Sequence, residues 1–359
     1  NNRKIFVDFI NKFFLTKFKD ASEKGAPITC GEIKKAKTDS ARLSLFPHQQ
    51  IVKDYLNMYT PYRGLLLFHG LGSGKTCSSI AIAEGLKTEK QIIIMTPASL
   101  QVNYRNDLKK CGDEFYKRNQ HWEFISVREV PESERSSKIA QLAAVLNINT
   151  DMIKENGGAW MINVKNTKNN FPDLSNEERQ QLEAQLDVMI EAKYKFINYN
   201  GLNRNKIAEL TNNGKINPFD NAVVIIDEAH RIVNSISNQL KNLKPTKSDD
   251  KKAKALISIQ LYKYLQNADN SKIILLTGTP IINYPNELAI LFNILRGYIK
   301  TWSFKLTVDK DQKFDESSVV AMLKKYNIAN YDYVKYTPST QIMTVTRNPF
   351  GFTDASKGA

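Results

Sequence analysis

The sequence predicts an α/β fold in which helices cover both faces of a mainly parallel sheet, and three observations lead to this prediction. Five short runs are almost continuously apolar, as strands buried on both faces are. The segments between these runs have helical periodicity. The chain has 359 residues, which is enough for two or three domains of roughly 100–200 residues each. The five runs are GLLLF (64–68), QIIIMT (91–96), YKFINY (194–199), AVVIID (222–227) and KIILLT (272–277).

The apolar runs lie in the middle of the chain and divide it into three predicted parts. Residues 1–44 combine an amphipathic helix with a lysine-rich polar segment, so we expect a helical and basic extension. Residues 45–300 contain the five runs and form the main domain. In residues 301–359, a helical pattern at 316–326 precedes two alternating runs joined at Pro338-Ser339, which predicts a hairpin. This last part is interpreted as the start of a second domain or as a linker.

A long stretch between the second and third apolar runs, residues 112–192, contains too many patterned segments to be one loop. It includes the strand candidates HWEFISV (121–127) and GAWMINV (158–164), and a helix that opens with a capping box over Ser175–Glu178. We therefore predict an insertion within the main domain. The lysine-rich run at 241–254 is predicted to be a solvated, mobile loop.

The overall charge predicts an anionic partner. The chain contains 51 Lys and Arg residues against 37 Asp and Glu residues, a net charge of +14 at pH 7. Nucleic acid is the first candidate because its phosphates dominate binding to basic proteins, and a contribution to solubility alone is the alternative. No apolar run approaches the roughly 20 residues of a membrane span, and no signal peptide is visible, so no membrane partner is expected.

The cysteines predict a reducing compartment. Cys30, Cys77 and Cys111 are odd in number and widely spaced, and no two of them form a C-x-x-C pair. This pattern argues against a disulfide framework and against a zinc site. Cys77 is interpreted as a small residue in the packed first turn of a helix. Because the chain starts at Asn1, we expect it to be part of a longer protein.

The turn HGLGSGKT after the first apolar run has the spacing of a phosphate-binding loop, G-x-x-x-x-G-K-[ST], except that His69 replaces the first glycine. A strand precedes it and a helical pattern follows, as such a loop requires. Its glycines allow backbone N–H groups to face an anion at the N-terminus of the helix. Lys75 is predicted to contact the β- and γ-phosphates and Thr76 to ligate Mg²⁺, whereas the alternative is a turn with a lone lysine. The predicted ATP-binding residues here are His69, Gly70, Leu71, Gly72, Ser73, Gly74, Lys75 and Thr76.

A second motif, Asp227-Glu-Ala-His230, follows the fourth apolar run. It therefore lies at the carboxyl end of a buried strand, where ligands bind in open α/β sheets. Phosphoryl transfer to water needs one carboxylate to hold the metal and another to polarise the water, and Asp227 and Glu228 fit these two roles. Alone, the motif is also compatible with a strand end that runs into a helix with acidic residues in its first turn. Downstream of a phosphate-binding loop, it predicts a nucleotide site.

A third motif, TGTP, follows the fifth apolar run. Its small hydroxylated residues are able to hydrogen-bond to the acidic motif and to transmit the state of the nucleotide, and an ordinary polar turn is the alternative. The predicted coupling residues are His230, Thr277, Gly278 and Thr279.

The three motifs, in this order, resemble motifs I, II and III of superfamily 2 helicases and translocases. The segment TPASLQVNYRNDL (96–108) resembles motif Ia of that superfamily, and LFPHQQ (45–50) resembles the stretch in which Gln49 would recognise the base of the nucleotide. The resemblance covers about residues 43–296. It implies a RecA-like, P-loop NTPase domain that uses ATP and Mg²⁺.

The resemblance also implies contacts with nucleic acid on the face opposite the nucleotide. Thr96, Ser99 and Asn103 of the motif Ia segment are the candidates, with Thr96 and the first N–H groups of the following helix as the preferred phosphate donors. Arg105 ranks lower because we expect it on the solvated side of that helix. Tyr199 is a candidate for base stacking, although a tyrosine at a strand end is more often part of the core.

Three longer segments resemble one group of proteins within superfamily 2. FHGLGSGKT, TGTPIINYPNEL and YDYVKYTPSTQIMTVTRNPFGF are similar to the helicase-type ATPases of nucleocytoplasmic large DNA viruses, the group of the poxvirus early transcription factor small subunit and nucleoside triphosphate phosphohydrolase I. The likeness implies a DNA-dependent ATPase in viral transcription, with duplex DNA and viral RNA polymerase or another transcription factor subunit as partners. It implies a location in the cytoplasmic viral factory or the virion. The motor of a restriction or chromatin-remodelling enzyme, and a nucleotide-gated protein-binding scaffold, stay open as alternatives.

One departure from the superfamily concerns the arginine fingers that its second RecA-like domain supplies. No Q-x-x-G-R-x-x-R motif follows residue 300, and Arg347 is the only arginine after Arg296. Loss of an arginine finger costs about 10³-fold or more in rate. We therefore expect this chain alone to bind ATP but to hydrolyse it poorly.

Overall fold

The computed structural model describes most of the chain, and its elements are numbered here in chain order. The described residues are 2–17, 47–56, 60, 62–70, 74–166, 168–241, 249–308, 314–328 and 331–347. The helices are α1 (Asn2–Lys17), α2 (Pro47–Tyr55), α3 (Lys75–Leu86), α4 (Ala98–Cys111), α5 (Glu132–Leu146), α6 (Thr150–Asn156), α7 (Asn176–Lys193), α8 (Arg204–Leu210), α9 (Ala229–Lys241), α10 (Asp249–Asn267), α11 (Asn286–Arg296) and α12 (Glu316–Lys325). The strands are β1 (Gly64–Phe68), β2 (Gln91–Thr96), β3 (Trp122–Ser126), β4 (Gly158–Ile162), β5 (Tyr194–Asn198), β6 (Ala222–Ile226), β7 (Lys272–Thr277), β8 (Lys300–Lys305), β9 (Tyr333–Thr337) and β10 (Ile342–Arg347). In these ranges, no helix has the length and apolar character needed to span a membrane.

Five parallel strands form the central sheet in the order β1-β7-β6-β2-β5. They correspond to the five predicted apolar runs, so the predicted fold class is confirmed. Phe68 at the end of β1 is opposite Thr277 at the end of β7. On the other side of β6, Ile226 is opposite Met95 of β2. The carboxyl ends of the strands therefore lie along one edge of the sheet.

Both faces of the sheet are buried, because successive side chains of a strand point to opposite faces. In β2, Ile92 and Ile94 belong to one hydrophobic core, and Ile93 and Met95 belong to the other. Helices α3, α4 and α7 contribute to the first core, and α9, α10 and α11 contribute to the second. Burial of each such side chain stabilises the fold by about 1.5–3 kcal/mol. This is the physical reason why an unbroken apolar run predicts a strand covered on both faces.

Residues 112–192 contain an antiparallel pair of strands and three helices that pack on the central domain. The pair is β3 with β4, as predicted. Helix α7 begins at the predicted capping box, in which the backbone N–H of Glu178 donates to Ser175 Oγ at 3.2 Å and the backbone N–H of Ser175 donates to Glu178 Oε2 at 2.8 Å. Trp122 and Trp160 belong to the same hydrophobic core as one face of the parallel sheet.

Strands β8, β9 and β10 form a separate antiparallel sheet in the order β8-β10-β9. The hairpin β9–β10 and helix α12 confirm the predicted elements of this part. Val319 and Leu323 of α12 pack against Val334, Tyr336 and Met343 of the sheet, which gives it a small core of its own. Strand β8 was not predicted from its sequence, KTWSFK, because all six of its residues are exposed and it lacks a buried apolar face.

Cys77 and Cys111 form a disulfide, so the expectation that the cysteine pattern argues against disulfide bonding was wrong. The two residues are 34 positions apart in sequence, yet their Cα atoms are 5.7 Å apart. Cys77 lies in the first turn of α3 and Cys111 is the last residue of α4, and these helices pack against each other. The pairing depends on that packing and not on the spacing of cysteines along the chain.

The lysine-rich run at 241–254 is in part helical, which corrects its prediction as a loop. Lys241 is the last residue of α9, and residues 249–254 form the beginning of α10. Lysine and alanine are good helix formers, so a polar, lysine-rich composition does not by itself exclude a helix. Residues 242–248 lie outside the described part of the chain.

Candidate nucleotide-binding site

Three of the predicted motifs meet at the carboxyl edge of the parallel sheet. The phosphate-binding loop follows β1, the TGTP turn follows β7, and the acidic pair follows β6. Because β7 lies between β1 and β6, the TGTP turn separates the other two motifs along the edge. Of the loop residues predicted to bind ATP, Leu71, Gly72 and Ser73 lie outside the described residues, and the other five are described.

Gly74 ends the loop and starts α3 in a conformation that suits glycine. Its φ is +77°, and a Cβ atom at this position would overlap the side-chain amide of Gln49. The Gly74 carbonyl accepts hydrogen bonds from the backbone N–H of Ser78 at 3.0 Å and from Gln49 Nε2 at 3.2 Å. Gln49, predicted to recognise the base, is buried and contacts the loop backbone. It therefore supports the loop directly.

Lys75, the first residue of α3, folds back over the loop. Its Nζ donates to the carbonyl oxygens of His69 at 2.9 Å and Gly70 at 3.2 Å. The TGTP turn approaches the same point, since a Cβ atom on Gly278 would lie 3.7 Å from Lys75 Nζ. The ammonium group is thus held at the helix N-terminus between motif I and motif III.

His69 occupies the place of the usual first glycine without disturbing the strand that precedes it. Its ring packs edge-on against His48, with centroids 5.8 Å apart. Burial, followed by the charges of His48 and Lys75, lowers the pKa of His69. Its Nδ1 is buried and makes no hydrogen bond among the described residues. These effects favour the neutral imidazole, which adds no positive charge to the loop.

Hydrogen bonds to the main chain hold the acidic pair at the end of β6. The Asp227 N–H donates to the carbonyl of Met95 at 2.9 Å, and the Glu228 N–H donates to Asp227 Oδ1 at 3.0 Å. Glu228 has a positive φ of +49°, which is uncommon for a residue other than glycine and is found at functional sites. The hydroxyl of Tyr199 donates to the main-chain carbonyl of Asp227 at 3.0 Å.

The pKa of the Asp227 carboxyl is raised well above its ordinary value. Burial, followed by the charge of Glu228, raises the pKa to about 6, against the lowering effects of the Glu228 N–H and of Lys75. A carboxylate whose charge is destabilised by burial and by a like charge is stabilised by a nearby cation. The influence of Lys75 on this pKa reflects the proximity of the loop to the acidic pair.

His230 connects the acidic motif to the TGTP turn. Its Nδ1 lies 3.0 Å from Thr277 Oγ1, 3.2 Å from Glu228 Oε2 and 3.5 Å from Thr279 Oγ1. The backbone N–H of Thr279 donates to Thr277 Oγ1 at 3.0 Å. Burial lowers the pKa of His230. Of the residues predicted to couple the motifs, His230, Thr277 and Thr279 are therefore in direct contact.

Glu287, whose role its sequence pattern does not reveal, fixes the segment after the TGTP turn. Its carboxylate is buried in the first turn of α11 and accepts from the backbone N–H groups of Ile282 at 2.8 Å and Asn283 at 3.3 Å. An acidic residue in the first turn of a helix is common, because it interacts favourably with the helix dipole. Because this pattern is common, the sequence alone does not indicate the specific role of Glu287.

The motif Ia residues are divided between surface and core. Ser99 and Asn103 are exposed on α4, as a contact with nucleic acid requires. The preferred candidate, Thr96, is fully buried at the end of β2, which disfavours it as a contact with nucleic acid. Arg105 pairs with Glu191 at 2.8 Å, so it does not lie free on a solvated face. Tyr199 is buried, which excludes base stacking and agrees with the core alternative.

The comparisons with known proteins agree with these motifs. A family model described as "Type III restriction enzyme, res subunit" matches residues 42–282. A protein of Acanthamoeba polyphaga mimivirus, whose name describes an ATP-dependent RNA helicase, is 29% identical over 249 residues, 69% of this chain and 32% of the viral protein. A Frog virus 3 protein named as a helicase is 24% identical over 261 residues, 71% of this chain and 20% of that protein. A homolog of termination factor NPH-I from African swine fever virus is 24% identical over 237 residues, 66% of this chain and 23% of that protein.

This chain spans a third or less of the length of each of these relatives. The matched family model covers well over half of the chain and includes all three motifs of the site. The named relatives come from large DNA viruses, and two of them are named as helicases. The chain therefore belongs to the family of the type III restriction enzyme res subunit, and within superfamily 2 its relatives are helicases of large DNA viruses.

Proposed function

We propose that this chain is the ATP-binding region of a nucleic-acid-dependent ATPase that moves along or remodels duplex DNA during viral transcription. One observation carries the proposal: the lysine-bearing loop and the acidic pair lie at the same edge of one sheet, with the TGTP turn between them. A triphosphate bound there would meet groups for phosphate binding, metal binding and activation of water. These are the parts that phosphoryl transfer to water requires.

Lys75 and Glu228 have separate roles in the proposed reaction. Lys75 exchanges its bonds to the carbonyls of His69 and Gly70 for bonds to phosphate oxygens, which become more negative as the terminal phosphate leaves. Glu228 orients the attacking water and accepts its proton. The contact of 3.2 Å between Glu228 Oε2 and His230 Nδ1 orients the carboxylate for this step.

The residues present fit Mg²⁺. The Thr76 hydroxyl and the Asp227 carboxylate are hard oxygen donors of the kind that Mg²⁺ prefers together with phosphate oxygens. A bound cation would offset the partial burial and the like charge of Glu228 that raise the pKa of Asp227. When bound, the metal would neutralise charge on the phosphates, and Asp227 and Thr76 would hold it.

The proposed partner is nucleic acid, and among nucleic acids we propose duplex DNA. The net charge of +14 favours a polyanion, and Ser99 and Asn103 offer exposed polar groups on α4. The mimivirus relative is named as an RNA helicase and the African swine fever virus relative as a homolog of a termination factor, so RNA belongs in the test beside DNA. We further propose that a second domain supplies arginine fingers, and that this chain alone turns over ATP slowly.

The test of this function is ATP turnover by the longer protein, measured with and without duplex DNA, single-stranded DNA and RNA. We expect duplex DNA to stimulate turnover most, with a rate that falls as salt weakens binding to phosphates. Association with the viral RNA polymerase would distinguish a transcription ATPase from the motor of a restriction enzyme, the alternative that the matched family name favours. Turnover that no nucleic acid changes would contradict the proposal and favour a nucleotide-gated scaffold.

Binding of the Mg²⁺ complex of a non-hydrolysable ATP analogue is expected to weaken below about pH 6. Because the pKa of Asp227 is raised to about 6, its carboxyl carries a proton at lower pH, and Mg²⁺ must displace that proton to bind. Affinity should fall by up to about tenfold per pH unit below this pKa. Calorimetric titrations from about pH 5 to about pH 7.5 measure the slope. Asp227→Asn is the control for protonation of the nucleotide itself, and an equal slope in both proteins would contradict the assignment.

Replacement of Tyr199 by phenylalanine is expected to weaken Mg²⁺-dependent nucleotide binding severalfold. The variant loses the hydrogen bond that holds the Asp227 carbonyl, and with it about 1 kcal/mol of folding free energy. Binding of the analogue without Mg²⁺ should change little, because Lys75 and the loop are untouched. Tyr336→Phe, a buried tyrosine of the antiparallel sheet, is the matched control. If Tyr199→Phe kept the wild-type dependence on Mg²⁺, this tyrosine would have no positioning role.

A further inference from the structure

The antiparallel sheet of β8, β9 and β10 carries a charge pattern that the proposed ATP site does not use. Its strands contain four cationic residues and no Asp or Glu. The cationic residues are Lys300, Lys305, Lys335 and Arg347. A surface of a single charge sign attracts a partner of the opposite sign. The favoured partner of this sheet is therefore a polyanion.

The register of the strands puts two aromatic side chains on the face that α12 covers only in part. Residues directly opposite each other in antiparallel strands share a face. Val345 is opposite both Trp302 of β8 and Val334 of β9, and Met343 is opposite both Phe304 and Tyr336. Val334, Tyr336 and Met343 are buried against α12. Trp302 and Phe304 are 43% and 46% exposed, so the β8 side of this face is open.

The same face also carries two of the cations. Lys300 lies two residues before Trp302, so its side chain leaves β8 on the same face, and Arg347 is directly opposite Lys300. Along β8, the order is a cation, then two aromatic rings roughly 7 Å apart. Both Lys300 and Arg347 are exposed. The open half of the face therefore combines charge for phosphates with flat rings for bases.

We infer that this face, defined by Lys300, Trp302, Phe304 and Arg347, is a binding site for single-stranded nucleic acid. Proteins that bind single strands without sequence preference stack bases on aromatic side chains beside a positively charged track, which is the arrangement seen here. A duplex does not offer its bases for such stacking. The inference rests on the proposed nucleic-acid-dependent function and adds a second contact, separate from the exposed residues of α4. It gives the ATPase a place to hold a displaced strand.

Tryptophan fluorescence tests the site directly, because one of the three tryptophans is exposed and lies in it. Trp122 and Trp160 are 2% and 3% exposed, against 43% for Trp302. Titration with an oligothymidylate of about 12 nucleotides should quench the fluorescence of Trp302 and saturate. In the Trp302→Phe variant, which keeps a ring for stacking, the quenching should disappear while binding of a labelled oligonucleotide persists.

Substitutions at the other three positions separate stacking from charge. Phe304→Ala should weaken oligonucleotide binding roughly tenfold, whereas Phe115→Ala, which removes a ring that is 49% exposed elsewhere, should leave it unchanged. Lys300→Ala or Arg347→Ala should each lower the slope of affinity against salt concentration by about 0.7. Circular dichroism of each variant checks that the sheet is intact.

Three outcomes would overturn the inference. One is an absence of quenching by oligothymidylate, and another is equal binding by Phe304→Ala and the wild type. The third is quenching that follows protein concentration alone, which would make this face an interface between copies of the chain. Binding of the ATP analogue is measured in the same samples. Normal ATP binding without quenching would remove only this inference, whereas failure of ATP binding would remove the proposed function.

Discussion

Replacement of Lys75 by alanine is expected to lower the affinity for the Mg²⁺ complex of an ATP analogue about 100-fold. The ammonium group is the only described cation that hydrogen-bonds to the loop, through the carbonyls of His69 and Gly70. Its loss removes charge-assisted hydrogen bonds to the phosphates, each worth about 1.5–3 kcal/mol. Fluorescence anisotropy of a labelled analogue measures the change in Kd.

The control for this variant is Lys154→Ala, which makes the same change of charge at an exposed position of α6. It should bind the analogue as the wild type does. Lys75→Arg keeps the charge but not the shape, and should bind with intermediate affinity. Thermal unfolding of all three variants should match the wild type, because Lys75 is not part of either hydrophobic core. An unchanged Kd for Lys75→Ala would show that the loop does not bind phosphate.

Replacement of Glu228 by glutamine is expected to separate binding from hydrolysis. The amide keeps the size of the side chain and can still hydrogen-bond to His230, 3.2 Å from the carboxylate. It cannot accept a proton from water, and loss of such a base costs about 10²–10⁴-fold in rate. We expect the affinity for ATP to stay within about threefold of the wild type, and single-turnover hydrolysis to fall by about 100-fold or more.

Single-turnover conditions, with protein in excess over labelled ATP, suit the slow hydrolysis proposed for this chain. Glu209→Gln, an exposed glutamate on α8, is the matched control and should hydrolyse ATP at the wild-type rate. If Glu228→Gln hydrolysed ATP normally, another group would activate the water. If Glu228→Gln also lost affinity for ATP, Glu228 would contribute to nucleotide binding as well as to hydrolysis.

The strands and the edge of the site were predictable because their physical signals are local. Each strand of the parallel sheet is an almost continuous apolar run, because both of its faces are buried and neither needs polar side chains. Polar motifs that follow such strands must then meet at the carboxyl edge. This is why the positions of Lys75, Asp227 and Thr277 after apolar strands placed them at one edge of the sheet.

The features that were missed depend on contacts between distant parts of the chain. The Cys77–Cys111 disulfide requires α3 to pack on α4, and the burial of Thr96 follows from the position of β2 inside the sheet. Glu287 turns its carboxylate to two backbone N–H groups of the preceding turn, and nothing in the sequence distinguishes it from other acidic residues at helix starts. Strand β8 lacks the buried face by which strands are identified.

A double-mutant cycle between Lys75 and Asp227 is the most direct test of the account, because it asks whether the loop and the acidic residue hold the same ligand. The Kd of the Mg²⁺ complex of an ATP analogue is measured for the wild type, Lys75→Ala, Asp227→Asn and the double variant. We predict that the two losses are not additive, with a coupling of about 1 kcal/mol or more. Losses that add to within about 0.5 kcal/mol, or wild-type binding by either single variant, would contradict a shared triphosphate and metal site.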